Sequence, residues 1–336
     1  MAVCDTESPA DCHVLVRGEI NERGEKVPRR MLSAVKVARP IEINSAQSGR
    51  LELARWLTDP ANPLTARVAV NRVWDKLFGR GIVPSVDNFG AMGDKPSHPE
   101  LLDFLAVRFV KEGWSLKRLV RGIVLSRTYR ISSSFREPSF AIDSENTFVW
   151  RMTPRRLDAE PLRDAMLVAS GQLKRTPPTM RPIHEMSNSG DVAKLERPFP
   201  FRSVYLPILR EQVPEMLDLF DFADPSMVVG HRSLTNVPSQ SLYLMNSPFV
   251  IEQADGVAER LLAVPEIDDP GRVTLAYKIC LSRPASEQEI AAAQKFLERI
   301  DQHLSESISE TEERRQAAWA SYSQALLGSA EFRYLD

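Results

Sequence analysis

The 336-residue sequence predicts a mainly α-helical, two-lobed fold with a few short strands. Three observations carry that reading. Apolar residues recur at helical spacing through most of the chain. Proline is frequent (24) and glycine scarce (15), the pattern of helices punctuated by proline rather than of hairpins and barrels. Finally, 43% hydrophobic residues in a chain this long fill more core than one small lobe needs.

The start stands apart. His13-Val14-Leu15-Val16-Arg17-Gly18 reads as a short strand, and Glu22-Arg23-Gly24-Glu25 as the polar turn after it. A lone strand pair is marginal in isolation, so residues 1–44 read as a connector from a missing upstream domain.

Residues 45–174 read as the first helical lobe. Gly49–Thr58 places Leu51, Ala54 and Trp56-Leu57 near helical spacing. Asn62-Pro63 supplies an N-cap and a first-position proline for a helix to about Phe78, ended by Gly79 and Gly81. Ser97-His98-Pro99-Glu100 has capping-box spacing and opens a helix carrying Leu101, Leu102, Leu105 and Phe109. After Gly113, Leu116, Leu119, Val120, Ile123 and Val124 form an apolar stripe with Lys117, Arg118 and Arg121 opposite. Asp158 starts another helix through Leu162, Met166 and Leu173.

Residues 175–200 read as a proline-rich loop or linker, and 201–336 as the second lobe. Val204, Leu206 and Ile208 alternate, which predicts a strand over Arg202–Leu209. Helices follow at Glu211–Asp221, Gln240–Met245, Phe249–Leu262 and Gly271–Leu281. Ser286-x-x-Glu289 is a capping box, and Glu310–Leu327 carries a last apolar stripe.

Charge and composition narrow the function classes. A net charge of −2 and a pI near 6.3 argue against whole-chain attraction to nucleic acid or an anionic membrane. No apolar run approaches the ~20 residues of a membrane helix, and the opening residues lack the pattern of a signal peptide. Cys4, Cys12 and Cys280 are too few for a disulfide scaffold, although an exported chain could bridge Cys4 to Cys12. Cys12-His13 resembles the end of a haem-attachment motif, but Cys4 lies outside its spacing. There is no Walker loop, G-x-G-x-x-G, G-x-S-x-G or C-x-x-C.

Several groups of residues invite a chemical reading beside a plain one. Arg67, Asn71 and Asp75 form one stripe on an otherwise apolar helix, lining a cleft or facing water. His98 follows Asp87, Asn88 and Asp94, yet it also sits in the first turn of a capped helix. No His pair has zinc-ligand spacing. Glu211, Glu215 and Asp218 share a face, with Asp221 and Asp224 after them. Calcium is one reading, but no EF-hand spacing accompanies them. No metal site is expected.

The strongest charge signal is basic. Arg108–Arg136 holds eight Lys or Arg against one acid, Glu112, and Arg155 and Arg156 add to the supply. Guanidinium forks bind two oxygens of a sulfate, phosphate or carboxylate at once. Lys117, Arg118, Arg121, Arg130, Arg155 and Arg156 are therefore the anion-binding candidates. Only Trp114 and Tyr129 interleave with the charges, so no nucleic acid is expected as partner. Arg67, Asn71, Asp87, Asn88, His98, Arg127, Asp158 and Arg163 are the polar-cleft candidates. Most of these should be partly buried and hydrogen-bonded to one another, because buried polar groups must be paired.

Read continuously, the segments form a pattern: Leu53-Ala54-Arg55-Trp56-Leu57-Thr58-Asp59-Pro60, Val70-Asn71-Arg72-Val73-Trp74, Leu77-Phe78-Gly79-Arg80-Gly81-Ile82-Val83, His98-Pro99-Glu100-Leu101-Leu102 and Leu125-Ser126-Arg127-Thr128-Tyr129. Arg155-Arg156-Leu157-Asp158-Ala159-Glu160, Pro238-Ser239-Gln240-Ser241-Leu242 and Asn246-Ser247-Pro248-Phe249-Val250 continue it. From about residue 12 onward this resembles domain-of-unknown-function family 1553, found at the C-terminus of large planctomycete-type cell-envelope proteins.

The resemblance implies a periplasmic or cell-surface location. It also implies an upstream cytochrome c-type domain, and carbohydrate-binding modules and sulfatases in the neighbourhood. This chain departs from that pattern in lacking the upstream domains, the haem motif and an export signal, so no cofactor is expected in it and haem c would sit upstream. The family's reaction is not established, and no catalytic residue carries over. The first reading is an accessory module for docking or for recognising sulfated or carboxylated polysaccharide. The alternative is a polysaccharide-active enzyme with a site around Arg67, Asn71, Asp87, Asn88 and His98.

Overall fold

A computed structural model describes residues 4–35, 41–179, 199–210 and 212–335. The fold is mainly α: among the described residues there are thirteen α-helices and two two-stranded sheets. Two compact units form, Met1–Met152 and Thr153–Asp336.

The first unit opens with the antiparallel pair β1 (Cys12–Leu15) and β2 (Arg23–Val27). Helices α1 (Arg50–Leu57), α2 (Thr65–Phe78), α3 (Pro99–Lys111), α4 (Leu116–Val124) and α5 (Glu137–Ile142) follow. Four-residue spacing on α2 aligns Ala66, Val70, Trp74 and Phe78 in one buried stripe. That stripe meets Leu102, Leu105 and Phe109 of α3 and Leu119 and Ile123 of α4. Burying each of the large apolar side chains contributes roughly 1.5–3 kcal/mol, so this stripe dominates the unit's stability.

Two capping expectations change in detail. Asn62 caps from three residues before the helix, its Oδ1 accepting from the Leu64 and Thr65 amides at 3.0 and 3.4 Å. The Ser97–Glu100 capping box does not form, because Pro99 takes the first helical position and His98 becomes the N-cap. The Ser97 hydroxyl donates instead to the Ile82 carbonyl at 3.2 Å.

The second unit contains β3 (Arg155–Arg156), α6 (Ala159–Ser170), α7 (Glu215–Leu219), α8 (Pro238–Asn246), α9 (Pro248–Leu262), α10 (Asp269–Leu281), α11 (Glu287–Leu304), α12 (Thr311–Leu327), α13 (Ala330–Arg333) and β4 (Tyr334–Leu335). Helix α9 is central, with Val250, Ala254, Val257, Ala258 and Leu261 all buried against α6 and α12. Small residues permit that closeness: a Cβ on Gly256 would lie 3.0 Å from the Ser170 Cβ. The Ser286–Glu289 capping box forms as the spacing predicts.

Two expectations are overturned. Residues 202–209 are not a strand: Ser203–Tyr205 is a 3-10 turn, fixed by Asp164, whose Oδ1 accepts from the Ser203 amide and hydroxyl, each at 2.7 Å. The first lobe was expected to run to residue 174, but Leu162, Met166 and Leu167 of α6 pack into the second unit's core, and the division falls at Met152. Most of the expected 175–200 linker lies outside the described residues. No helix among those described is long and apolar enough to cross a membrane.

Candidate functional site

The site with the clearest geometry is in the first unit, on α3 and α4. Ser115 caps α4, its hydroxyl accepting from the Arg118 amide at 3.3 Å. Leu119 and Ile123 then face the core while Lys117, Arg118 and Arg121 stay exposed. Among the described residues no carboxylate pairs with these three. Arginines elsewhere are bound to acids: Arg67 to Asp103, Arg108 to Glu112, Arg232 to Glu160 and Arg283 to Glu289. Arg127 and Arg130, just after α4, are exposed as well.

Beside this basic face, α3 and α4 leave a groove of about 420 Å³. Its floor is Trp74, Leu105, Phe109, Leu119 and Ile123, and Phe104 and Phe148 stand exposed on its walls. Arg108, Glu112 and Arg118 line its polar rim, and Ser126, Thr128 and His98 are among the remaining lining residues. The Phe148 wall is built by a tightly bonded loop. The Asp143 carboxylate accepts from the Thr147 and Phe148 amides at 2.9 and 2.8 Å, and Trp150 Nε1 donates to the Asp143 carbonyl at 2.8 Å. Val149 sits at φ +52°, a conformation costly for a β-branched side chain and sustained only where its surroundings over-determine it.

The polar-cleft candidates do not converge as expected. Asn71 is fully buried and holds the Val83 backbone. Arg67 donates to Asp103 at 2.7 Å. Asp87 and Asn88 are exposed, with Arg72 3.9 Å from Asp87. His98 reaches the groove, its Nδ1 2.9 Å from the Ser97 hydroxyl and its ring edge-on to Phe148 at 5.8 Å. Arg127 is exposed, against the expectation of burial.

The remaining candidates belong to the second unit. Arg163 is fully buried and donates to the Phe199 and Phe201 carbonyls at 2.5 and 3.1 Å. Asp158 precedes α6 with Arg232 at 3.9 Å, and Arg232 grips Glu160 with two bonds of 2.6 and 2.8 Å. Arg156 is not an anion-binding surface residue. It is buried, and it donates to Asp221 at 2.6 Å, to Gln240 Oε1 at 3.3 Å, to the Phe220 carbonyl at 3.4 Å and to the Thr235 carbonyl. Arg155 is half-buried.

Asp221, which follows the acidic face of Glu211, Glu215 and Asp218, is the acid that neutralises Arg156. Burial pushes its pKa up, but bonds from Thr235 and Arg156 outweigh that and hold it below the usual carboxylate range. Among the described residues no group of three or more acids, His or Cys is placed to hold a metal.

Sequence reasoning missed Phe148 and Asp143, which no local periodicity marks, and Asp221 was named without its partner Arg156. Gln240 and Glu160 lay within the quoted family-like segments but carried no signal of their role.

A family model described as a protein of unknown function, DUF1553 (PSD1), matches residues 49–297. The chain belongs to this family. The span matched by DUF1553 holds α3, α4, the Phe148 loop and the Arg156 network. Neither a curated protein nor a solved structure matches the chain.

Proposed function

We propose that this DUF1553 chain is an accessory recognition module that binds sulfated or carboxylated polysaccharide on the basic face of α4. The observation that carries the reading is the absence of internal acid partners for Lys117, Arg118 and Arg121 among the described residues. Lys117 and Arg121 are four residues apart, about 6 Å along the helix axis, and Arg118 lies beside them. Fixed cations at that pitch suit an anionic chain whose charges recur along its length, and Arg grips two oxygens of each group. Arg130, exposed a few residues after α4, adds to the basic charge of this segment.

The cell-envelope setting, with a cytochrome c-type domain upstream and sulfatases nearby, makes sulfated glycan the natural first ligand to test. That setting rests on the family resemblance alone. Two residues of the enzymatic alternative are committed elsewhere: Asn71 is sealed in the core, and Arg67 is held by Asp103. The reading is tested by titrating the chain with sulfated polysaccharide at two salt concentrations, alongside a Lys117/Arg118/Arg121→Ala variant.

A further inference from the structure

We infer that the α3–α4 groove is a binding site for a small amphiphile, an aliphatic chain ending in a carboxylate. The inference goes beyond the polysaccharide reading, because it uses the apolar floor and shares only Arg118 with the exposed face of α4.

The shape argues for a chain. Lining residues run from Leu101 on α3 to Glu112 at its C-cap, twelve residues or about 16 Å of helix, and those on α4 run alongside from Arg118 to Ile123. A long furrow of about 420 Å³ accommodates an extended tail, and it falls within the size range of small-molecule sites. Gly122 lines the furrow, and an added Cβ there would make ordinary contact with the Arg108 guanidinium at 3.7 Å, so only a larger side chain would reach across it.

Polarity fixes the orientation. Charged lining residues gather where α3 ends and α4 begins, at Arg108, Glu112 and Arg118. Arg108 is neutralised by Glu112, with Nε donating to Oε1 at 2.7 Å, while Arg118 has no acid partner among the described residues. The rim therefore carries one uncompensated positive charge, which suits a single anionic head. At the other end, Phe148 and Phe104 are 68% and 60% exposed beside the floor, an apolar surface that a tail would cover.

The wall is preformed rather than adaptable. Two amide bonds to Asp143 fix the backbone carrying Phe148, and Val149 beside it is held at positive φ. Strain of this kind clusters at ligand sites, where the conformation serves binding.

The test is calorimetric titration of the full chain with decanoate and, separately, decan-1-ol. One saturable decanoate site is expected. Gly122→Leu, which fills the furrow from an exposed helical position, should weaken decanoate at least tenfold with an unchanged circular dichroism spectrum. Phe148→Ala, which removes an exposed side chain, should weaken both ligands. Arg118→Gln should weaken decanoate at least fivefold and leave decanol unchanged, whereas Lys117→Ala and Arg121→Ala should leave decanoate binding intact. Absence of saturable decanoate binding overturns the inference, as does wild-type binding by both Gly122→Leu and Phe148→Ala. A chain that binds decanoate but not sulfated polysaccharide contradicts only the polysaccharide reading.

Discussion

Asn71 commits both ends of its side-chain amide to one residue, Val83: Nδ2 donates to the Val83 carbonyl at 2.9 Å, and Oδ1 accepts from the Val83 amide at 2.8 Å. The pair seals the chain reversal after α2, where a Cβ on Gly81 would approach the Val83 carbonyl oxygen to 2.5 Å. Replacing Asn71 with Ala leaves a buried donor and a buried acceptor without partners, each costing about 1–3 kcal/mol. Asn71→Ala should lower stability by at least about 2 kcal/mol in chemical denaturation, the lower end of the two costs combined. A change near zero would show that water replaces the amide.

Arg156 and Asp221 form the best-buried ion pair described, with side-chain exposures of 3% and 13%. Removing one partner of such a pair strands a charge and costs about 3–5 kcal/mol. Arg156→Met should therefore destabilise the protein strongly, and adding Asp221→Asn should recover part of the loss. If the double variant is as unstable as the sum of the single ones, the two residues are not coupled.

Acid should weaken this network in a definite direction. The Asp221 pKa is lowered in the folded chain, so its contribution is complete above the unfolded value of about 3.9 and is lost as pH falls through the folded value. Stability of Asp221→Asn should fall less steeply with acid than that of the wild type. Parallel curves from pH 5 to pH 2 would contradict this.

A second acid-sensitive contact is at the end of the chain. Arg283 bridges Glu289 and Glu331, donating to Glu289 at 2.7 and 2.9 Å and to Glu331 at 2.5 and 2.7 Å. Bonds from Arg283, then from the Ser286 amide, hold Glu289 down to about 2. Its folded pKa is depressed, so its contribution is present above the unfolded value of about 4.3 and fades towards pH 2. Glu289→Gln should flatten the stability profile in that window. Because the group is partly exposed, added salt should shrink the difference.

The helices were legible because their signal is local. Leu119 and Ile123 fall on one face by spacing alone, and Ser286 with Glu289 is a three-residue pattern. Where local signals competed, the reading slipped. Pro99 displaced the Ser97 cap, and the alternation of Val204, Leu206 and Ile208 yielded to Asp164, whose bonds to Ser203 turn the chain. Partners distant in sequence were invisible. Arg156 reads as one more surface cation until Asp221, 65 residues on, is folded beside it. Lys117, Arg118 and Arg121 were legible as a face, but the groove beside them was not, since Phe148 reaches it only through the Asp143 loop.

The most direct test of the central claim is the affinity for a sulfated polysaccharide, such as dextran sulfate, at low and high salt. Uncharged dextran serves as control. Surface charge acts over about 10 Å at 0.1 M salt and about 3 Å at 1 M, so binding through Lys117, Arg118 and Arg121 should be measurable at low salt and weaken steeply as salt rises. The Lys117/Arg118/Arg121→Ala variant should lose at least tenfold in affinity at low salt without a change in fold. Affinity that is undetectable at low salt, or equal in wild type and variant, would contradict the account and leave this face of α4 as solvated surface.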